Sequence, residues 1–226
     1  MVETNSVTRE GEFVNVFKVL QINYKDTKYF ILNRHYAQRM PSISWAFGLF
    51  KGDLLVGVLT IGKPASPPLC KGILGEEFSH KVYELNRLIT EDGLEPNSLS
   101  FFVGKVLKML KKDDLVIVSY ADSGMGHNGY IYQATNFIYT GKSKERTDRY
   151  TPGNKHSRHY TDEFSHLRKL RTSKHRYVYF TKSKGLASKM NYPILPYPKE
   201  PNQNYVLGER MKTVVINTET GEKIYQ

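Results

Sequence analysis

The chain has 226 residues, a formal net charge of +11 and a single cysteine, Cys70. That length is enough for one large domain with a proper core, and 39% hydrophobic against 24% charged residues excludes a disordered chain. One cysteine excludes a disulfide framework and a multi-cysteine zinc site, no apolar run approaches the roughly 20 residues of a membrane span, and the first residues lack the apolar stretch of a signal peptide, which points to the cytoplasm.

In chain order, Asp26-Thr27 is placed to cap a helix running to about Gln38, with Tyr29, Leu32 and Tyr36 at helical spacing and Pro41 stopping it. Trp45 to Phe50 and Leu54 to Ile61 are apolar strands around Lys51-Gly52-Asp53, a hairpin signal. The Pro- and Ser-punctuated stretch from Gly62 to Gly75 predicts a loop, with Cys70 in it as an incidental thiol. Val82 to Thr90 is a third strand. Pro96-Asn97-Ser98 opens a helix whose stripe is Leu99, Phe102, Val103, Val106 and Leu110. Leu115 to Tyr120 is a short buried strand. A helix over about 128–137 follows Gly124 and Gly126, then a strand over Phe137-Ile138-Tyr139. Thr161-Asp162-Glu163 predicts a further helix, ending on Arg168-Lys169-Leu170-Arg171 in the order a helix dipole favours. Arg176 to Phe180 alternates as a strand. Prolines 193, 196, 198 and 201 make residues 191–203 an extended connector, and a hairpin closes the chain.

The positive charge is concentrated. Residues 142–190 hold 14 Lys or Arg and 4 acids, whereas the other 177 residues hold 19 Lys or Arg and 18 acids. A nearly neutral body with one dense basic segment suits a polyanion, because each phosphate contact releases counterions. Arg149, Lys155, Arg158, Arg168, Lys169, Arg171, Lys174 and Arg176 are the candidate contacts to double-stranded DNA. Tyr150, His156, His159, Tyr160, His175, Tyr177 and Tyr179 add flat rings that can stack on bases. The bland alternatives are a solvated basic face or a surface for acidic lipid. The division expected is a core over 1–141, a basic DNA-gripping segment over 142–190 packed on it, and a connector with hairpin over 191–226.

Hairpin, strand and then helix also looks like the GNAT acetyltransferase superfamily, which holds acyl-CoA pyrophosphate at that helix start. Asn97, Ser98 and Ser100 would supply the backbone N–H groups there. That superfamily usually carries a Gly-rich, Arg-containing loop, whereas this chain has Glu91-Asp92-Gly93-Leu94-Glu95, whose acids oppose an anion.

A closer resemblance covers about residues 30–141. Asn33-Arg34-His35-Tyr36, Tyr83-Glu84-Leu85-Asn86-Arg87-Leu88, Asn97-Ser98-Leu99-Ser100-Phe101-Phe102, Tyr120-Ala121-Asp122, Gly126-His127-Asn128-Gly129-Tyr130-Ile131-Tyr132-Gln133-Ala134-Thr135-Asn136-Phe137 and Tyr139-Thr140-Gly141 resemble the phage Mom family. The resemblance implies a divergent GNAT-like α/β fold, a mixed sheet flanked by helices, to which the charge and strand patterns of the later residues add a basic C-terminal extension and a terminal β-hairpin. It implies a transferase that places a carbamoylmethyl group on the exocyclic amine of adenine in phage DNA, protecting it from host restriction enzymes in the host cytoplasm. It also implies a small-molecule group donor, either acyl-CoA-like or different, and a metal such as iron. Direct acyl transfer would leave a carbonyl on the adenine nitrogen, whereas the family's product carries a methylene there. The alternatives are an acyl-CoA-dependent N-acetyltransferase acting on a protein or RNA amine, and a DNA-binding protein without chemistry.

Within this frame His35, Tyr36, Asp122, His127 and Tyr132 are the candidate catalytic residues. Asp122 ends a strand at the carboxyl edge of the sheet, where such folds place chemistry, although capping the next helix is the commoner role of such an Asp. His35, Tyr36 and Asp122 are the candidate metal ligands, since any metal here must use His, Tyr and carboxylate donors. Glu84 and Arg87 join Asn97, Ser98 and Ser100 as candidate donor contacts, with Glu84 and Arg87 on opposite faces of their strand. A ring among Tyr36, Tyr83, Tyr130 and Tyr132 is expected to stack an extruded adenine, with Tyr130, Ile131 and Phe137 also read as core.

Overall fold

Two β-sheets organise the chain in the computed structural model, which describes residues 16–153, 159–182, 184–203, 207 and 213–225. The strands are β1 (Phe17–Gln21), β2 (Trp45–Lys51), β3 (Leu54–Gly62), β4 (Val82–Thr90), β5 (Val116–Asp122), β6 (Ile138–Lys142), β7 (Arg146–Arg149), β8 (Leu167–Arg171), β9 (Lys174–Phe180), β10 (Val214–Asn217) and β11 (Lys223–Tyr225). The helices are α1 (Pro67–Phe78), α2 (Ser98–Met109), α3 (Tyr130–Ala134) and α4 (Lys184–Ala187). The main sheet has seven strands in the order β1-β2-β3-β4-β5-β9-β6. Its one parallel pair is β4–β5; all its other pairs are antiparallel. The second sheet, β11-β10-β8-β7, is antiparallel throughout.

The main sheet is covered on both faces. On one, α2 lays Phe102, Val103, Val106 and Leu107 against Phe47, Leu49, Leu59, Leu85 and Ile117. On the other, Ile73 and Leu74 of α1 pack on Val82, Val116, Val118 and Val178. Strand β5 shows why both cores form. Val116 and Val118 go to the α1 side and Ile117 and Ala121 to the α2 side, the period of two of a strand buried on both faces. Each buried Val or Ile contributes about 1.5–3 kcal/mol.

Several expectations change. The helix expected from Asp26 to Gln38 is present but shifted and irregular: residues 24–34 run from a 3-10 turn over Tyr24–Thr27, capped by Asn23, into a π turn over Phe30–Arg34, and His35 is already extended. The stretch expected as a loop after Gly62 contains α1. Pro67 and Pro68 sit in its first turn, where a missing N–H costs nothing, and Cys70 is buried inside it. The helix after Gly126 is only the five residues of α3. The expected helix ending at Arg171 is instead β8, because pairing with β7 and β10 overrides the local charge pattern. Strand β9, from within the basic segment, lies between β5 and β6, so the change in charge at residue 142 is not a boundary of the main sheet. Among the described residues no helix is long and apolar enough to cross a membrane.

Candidate active site

Strands β4 and β5 pair over only three positions, Val82↔Val116, Tyr83↔Ile117 and Glu84↔Val118, and then part. The buried Ser119 hydroxyl donates to the Leu85 carbonyl at 2.9 Å where the pairing ends, and so satisfies a group left without its strand partner. Beyond it lies a cavity of about 650 Å³, in the size range of a ligand site, lined by β4 residues 84–90, Tyr120 and Ala121 of β5, and the start of α2. His35, Tyr36, His127 and Tyr132 also line it.

A bulge shapes the β4 wall. Thr60 opposes Arg87 and Ile61 opposes Leu85, which leaves Asn86 as the extra residue. Asn86 is pinned: its Oδ1 accepts from the Thr60 hydroxyl at 2.6 Å and its Nδ2 donates to the Ser42 carbonyl at 2.8 Å. The bulge shifts the alternation by one, so Leu85 and Leu88 enter the same core and Arg87 joins Glu84 at the cavity. The expectation of Glu84 and Arg87 on opposite faces is corrected by this one inserted residue.

The aromatic end of the cavity is compact. The His35 and Tyr36 rings stack at 4.2 Å, and Tyr36 meets His127 edge-on at 6.0 Å. Burial, with Arg87, His127 and Lys174 nearby, lowers the His35 imidazole to about 3. Its Nδ1 accepts the Ala37 N–H at 3.0 Å, so the neutral ring carries its proton on Nε2 and faces its surroundings as a donor. Burial raises the Tyr36 hydroxyl, with Asp122 and Tyr132 adding to it, and pushes Tyr132 up to about 12.

The carboxylates divide by partner. Asp122 accepts from the Gly124 N–H at 3.0 Å and the Thr172 hydroxyl at 2.5 Å, and lies 3.1 Å from the Lys174 ammonium. Burial works to raise its carboxyl, but Lys174 and these hydrogen bonds outweigh burial and hold it below the usual range. This is the capping arrangement. Glu84 has the opposite balance: burial raises its carboxyl against the pull of Lys174 and Arg87, and among the described residues nothing hydrogen-bonds to it. It is the carboxylate best placed to accept a proton.

At the start of α2 the Ser98 hydroxyl donates to the Glu95 carbonyl and the Ser100 hydroxyl to the Asn97 carbonyl at 2.9 Å. Arg34 binds Glu91 at 2.9 Å and Asp92 at 2.7 Å, and Lys51 binds Glu95 at 2.6 Å. Three acids against two committed cations do not fit a pyrophosphate. For a metal, no three His, Cys, Asp or Glu groups among the described residues are close enough to share an ion, and the Asp122 carboxylate faces an ammonium.

The basic residues separate as well. Arg176 stacks on Tyr192 at 3.4 Å and donates to Thr140, while Lys174 belongs to the cavity. Arg149, Arg168, Lys169 and Arg171 lie on the second sheet; Lys155, Arg158 and His156 fall outside the described residues. His175 and Tyr177 are core, so they offer no stacking face. Tyr83 packs on Trp45. Tyr130, expected in the core, is 64% exposed on the cavity rim.

The Pro-rich connector also reaches the site. Leu195 N–H donates to the Tyr139 carbonyl and Gln203 N–H to the Gly126 carbonyl, both at 2.9 Å, while Asn202 Oδ1 accepts the Asn128 N–H at 3.0 Å. Residues 191–203 thereby become a strap, and Asn202 and Gln203 form part of the cavity wall.

A family model described as the Mom protein family matches residues 16–199. The methylcarbamoylase mom of Escherichia phage Mu is 33% identical over 115 residues, spanning 49% of this chain and 48% of that protein, about half its length. Among solved structures, the ribosomal-protein-S18-alanine N-acetyltransferase of Escherichia coli is 10% identical over 75% of this chain and 96% of its own, with a TM-score of 0.45. A probable acetyltransferase from Staphylococcus epidermidis is 12% identical over 74% of this chain and 99% of its own, with a TM-score of 0.46.

Proposed function

The chain belongs to the Mom protein family, and from that premise we propose that it is a phage DNA-modification transferase. It places a carbamoylmethyl-type group on the exocyclic amine of adenine and so shields the DNA from host restriction enzymes. One observation carries the chemistry: a half-buried carboxylate, Glu84, to which no donor among the described residues hydrogen-bonds, stands in the cleft where β4 and β5 part.

In duplex DNA the adenine amine is stacked and paired, so the base must leave the helix to react. Tyr130 is the exposed ring at the rim and stacks the extruded base. A methylene on the product nitrogen requires attack on a methylene carbon. The amine nitrogen forms the new bond to that carbon, a leaving group on the same carbon departs with its electron pair, and Glu84 takes the amine proton. Burial supports this role by keeping Glu84 basic. Lys174 pairs with Asp122, which positions it, and its charge also acts on Glu84. His35 presents Nε2–H as a donor. The donor subsite is the cavity end toward α2, where paired acids favour a donor without pyrophosphate.

The test is analysis of nucleosides from DNA of bacteria expressing the chain. A new deoxyadenosine derivative with a carbamoylmethyl group on the exocyclic nitrogen is expected; unmodified deoxyadenosine at good soluble expression overturns the proposal.

A further inference from the structure

The register of the second sheet sorts its charges by face. Residues directly opposite across an antiparallel pair point to the same side. Arg149 opposes Arg168, Arg168 opposes Ile216, and Ile216 opposes Lys223, so one row crosses all four strands on one face. Asp148, Lys169, Val215 and Ile224 form the next row, on the other face, which Arg146 and Arg171 share. Val215 is fully buried there, so this second face is the inner one. The inner face keeps the acid: Asp148 lies 3.5 Å from Arg171 and 3.8 Å from Arg146.

Among the described residues the outer face is left uncompensated. Its paired residues are Thr147, Arg149, Arg168, Leu170, Val214, Ile216, Lys223 and Tyr225, none of them acidic. Arg149 and Lys223 are exposed, and among the described residues neither they nor Arg168 meet a carboxylate. Like charges directly opposite on a sheet are destabilising, so a directly opposed Arg149–Arg168 pair is stabilised by a polyanion. Arg149 also lies 4.6 Å over the Tyr160 ring, which helps fix its direction.

We propose that the outer face of the four-stranded sheet, through Arg149, Arg168 and Lys223, is the surface that grips the phosphate backbone of duplex DNA. Strands lie about 4.8 Å apart, so the four-strand row spans roughly 14 Å, close to the about 12 Å width of the major groove, which displays the adenine amine. Lys223 lies outside the basic segment and is brought to it only by the terminal hairpin. This surface rests on the DNA reading above but not on its chemistry.

The experiment measures binding of the full chain to a short fluorescent duplex across a salt series, for the wild type, for Arg149→Gln/Arg168→Gln/Lys223→Gln, and for the single reversal Lys223→Glu. The triple variant should keep its fold by circular dichroism and lose roughly 2–3 from the log–log salt slope, at about 0.9 per phosphate contact. Lys223→Glu alone should weaken binding about tenfold. A triple variant with wild-type affinity and slope overturns the surface, as does a wild type that binds anionic vesicles in place of duplex. A wild type that grips DNA through this face yet leaves adenine unmodified overturns the enzyme reading and leaves the surface standing.

Discussion

Lys174 Nζ stands 3.1 Å from the Asp122 carboxylate, across the paired strands β5 and β9. The Asp122 carboxylate is therefore engaged before any substrate arrives. Removing it leaves the Gly124 N–H, the Thr172 hydroxyl and the Lys174 ammonium without their acceptor. Asp122→Ala should cost about 1–3 kcal/mol of stability, measured by denaturant unfolding. Its modification activity should fall less than that of Glu84→Gln, because Asp122 positions and does not itself take the proton.

Glu84 supplies a pH signature. Its carboxyl titrates above the usual glutamate value, so the base form, and with it the rate, should rise as pH climbs through that raised value. A folded-state carboxyl raised above its unfolded value loses stability as pH rises, so Glu84→Gln should be as stable as the wild type at neutral pH or more so. Its rate should drop by about 10²–10⁴-fold, the usual contribution of a general base. Thermal melts and single-turnover rates across pH check both halves.

His35 has the reverse linkage. Its folded value, about 3, lies below the unfolded 6.5. The unfolded chain thus binds a proton first, and stability falls as pH drops from 6.5 toward 3, by up to about 1.4 kcal/mol per unit from this group. His35→Asn should flatten that part of a stability-against-pH curve.

Tyr130 is an exposed ring on the rim of the cavity. Tyr130→Ala should weaken DNA engagement at the cavity by about 1–3 kcal/mol, while Tyr130→Phe keeps the ring and most of the affinity. Equal losses in the two variants would remove stacking as its role.

Gly129 holds the turn before it. Its φ is +86°, and an added Cβ would collide with the Tyr177 ring. Gly129→Ala should cost about 1–3 kcal/mol from overpacking and about 1–2 more for the left-handed backbone, read from unfolding curves.

Much of the scaffold is legible in the sequence, because hairpin glycines and strand periodicity are local signals. The β2–β3 hairpin, β4 over Val82–Thr90 and the terminal hairpin all fall where they are expected. What escapes is set by contacts distant in sequence. Strand β8 carries a helix-like charge order, yet its partners β7 and β10 decide its state. Pro67 and Pro68 punctuate as a loop does but begin a helix. At the site, His35, Tyr36, His127 and Tyr132 line one cavity, while Asp122 is not among its lining residues. The bulge at Asn86, which turns Arg87 toward Glu84, is fixed by Thr60 and Ser42 and leaves no periodic trace. Lys174 counts as one more basic residue in sequence, and only the pairing of β9 with β5 brings it to Asp122.

The central claim is that adenine modification occurs in the β4–β5 cleft with Glu84 as base. Nucleoside mass spectrometry of DNA from bacteria expressing either wild type or Glu84→Gln, at matched soluble levels, tests it most directly. The carbamoylmethylated deoxyadenosine should be present with the wild type and absent or nearly so with Glu84→Gln. The same product at wild-type level from Glu84→Gln would contradict the account.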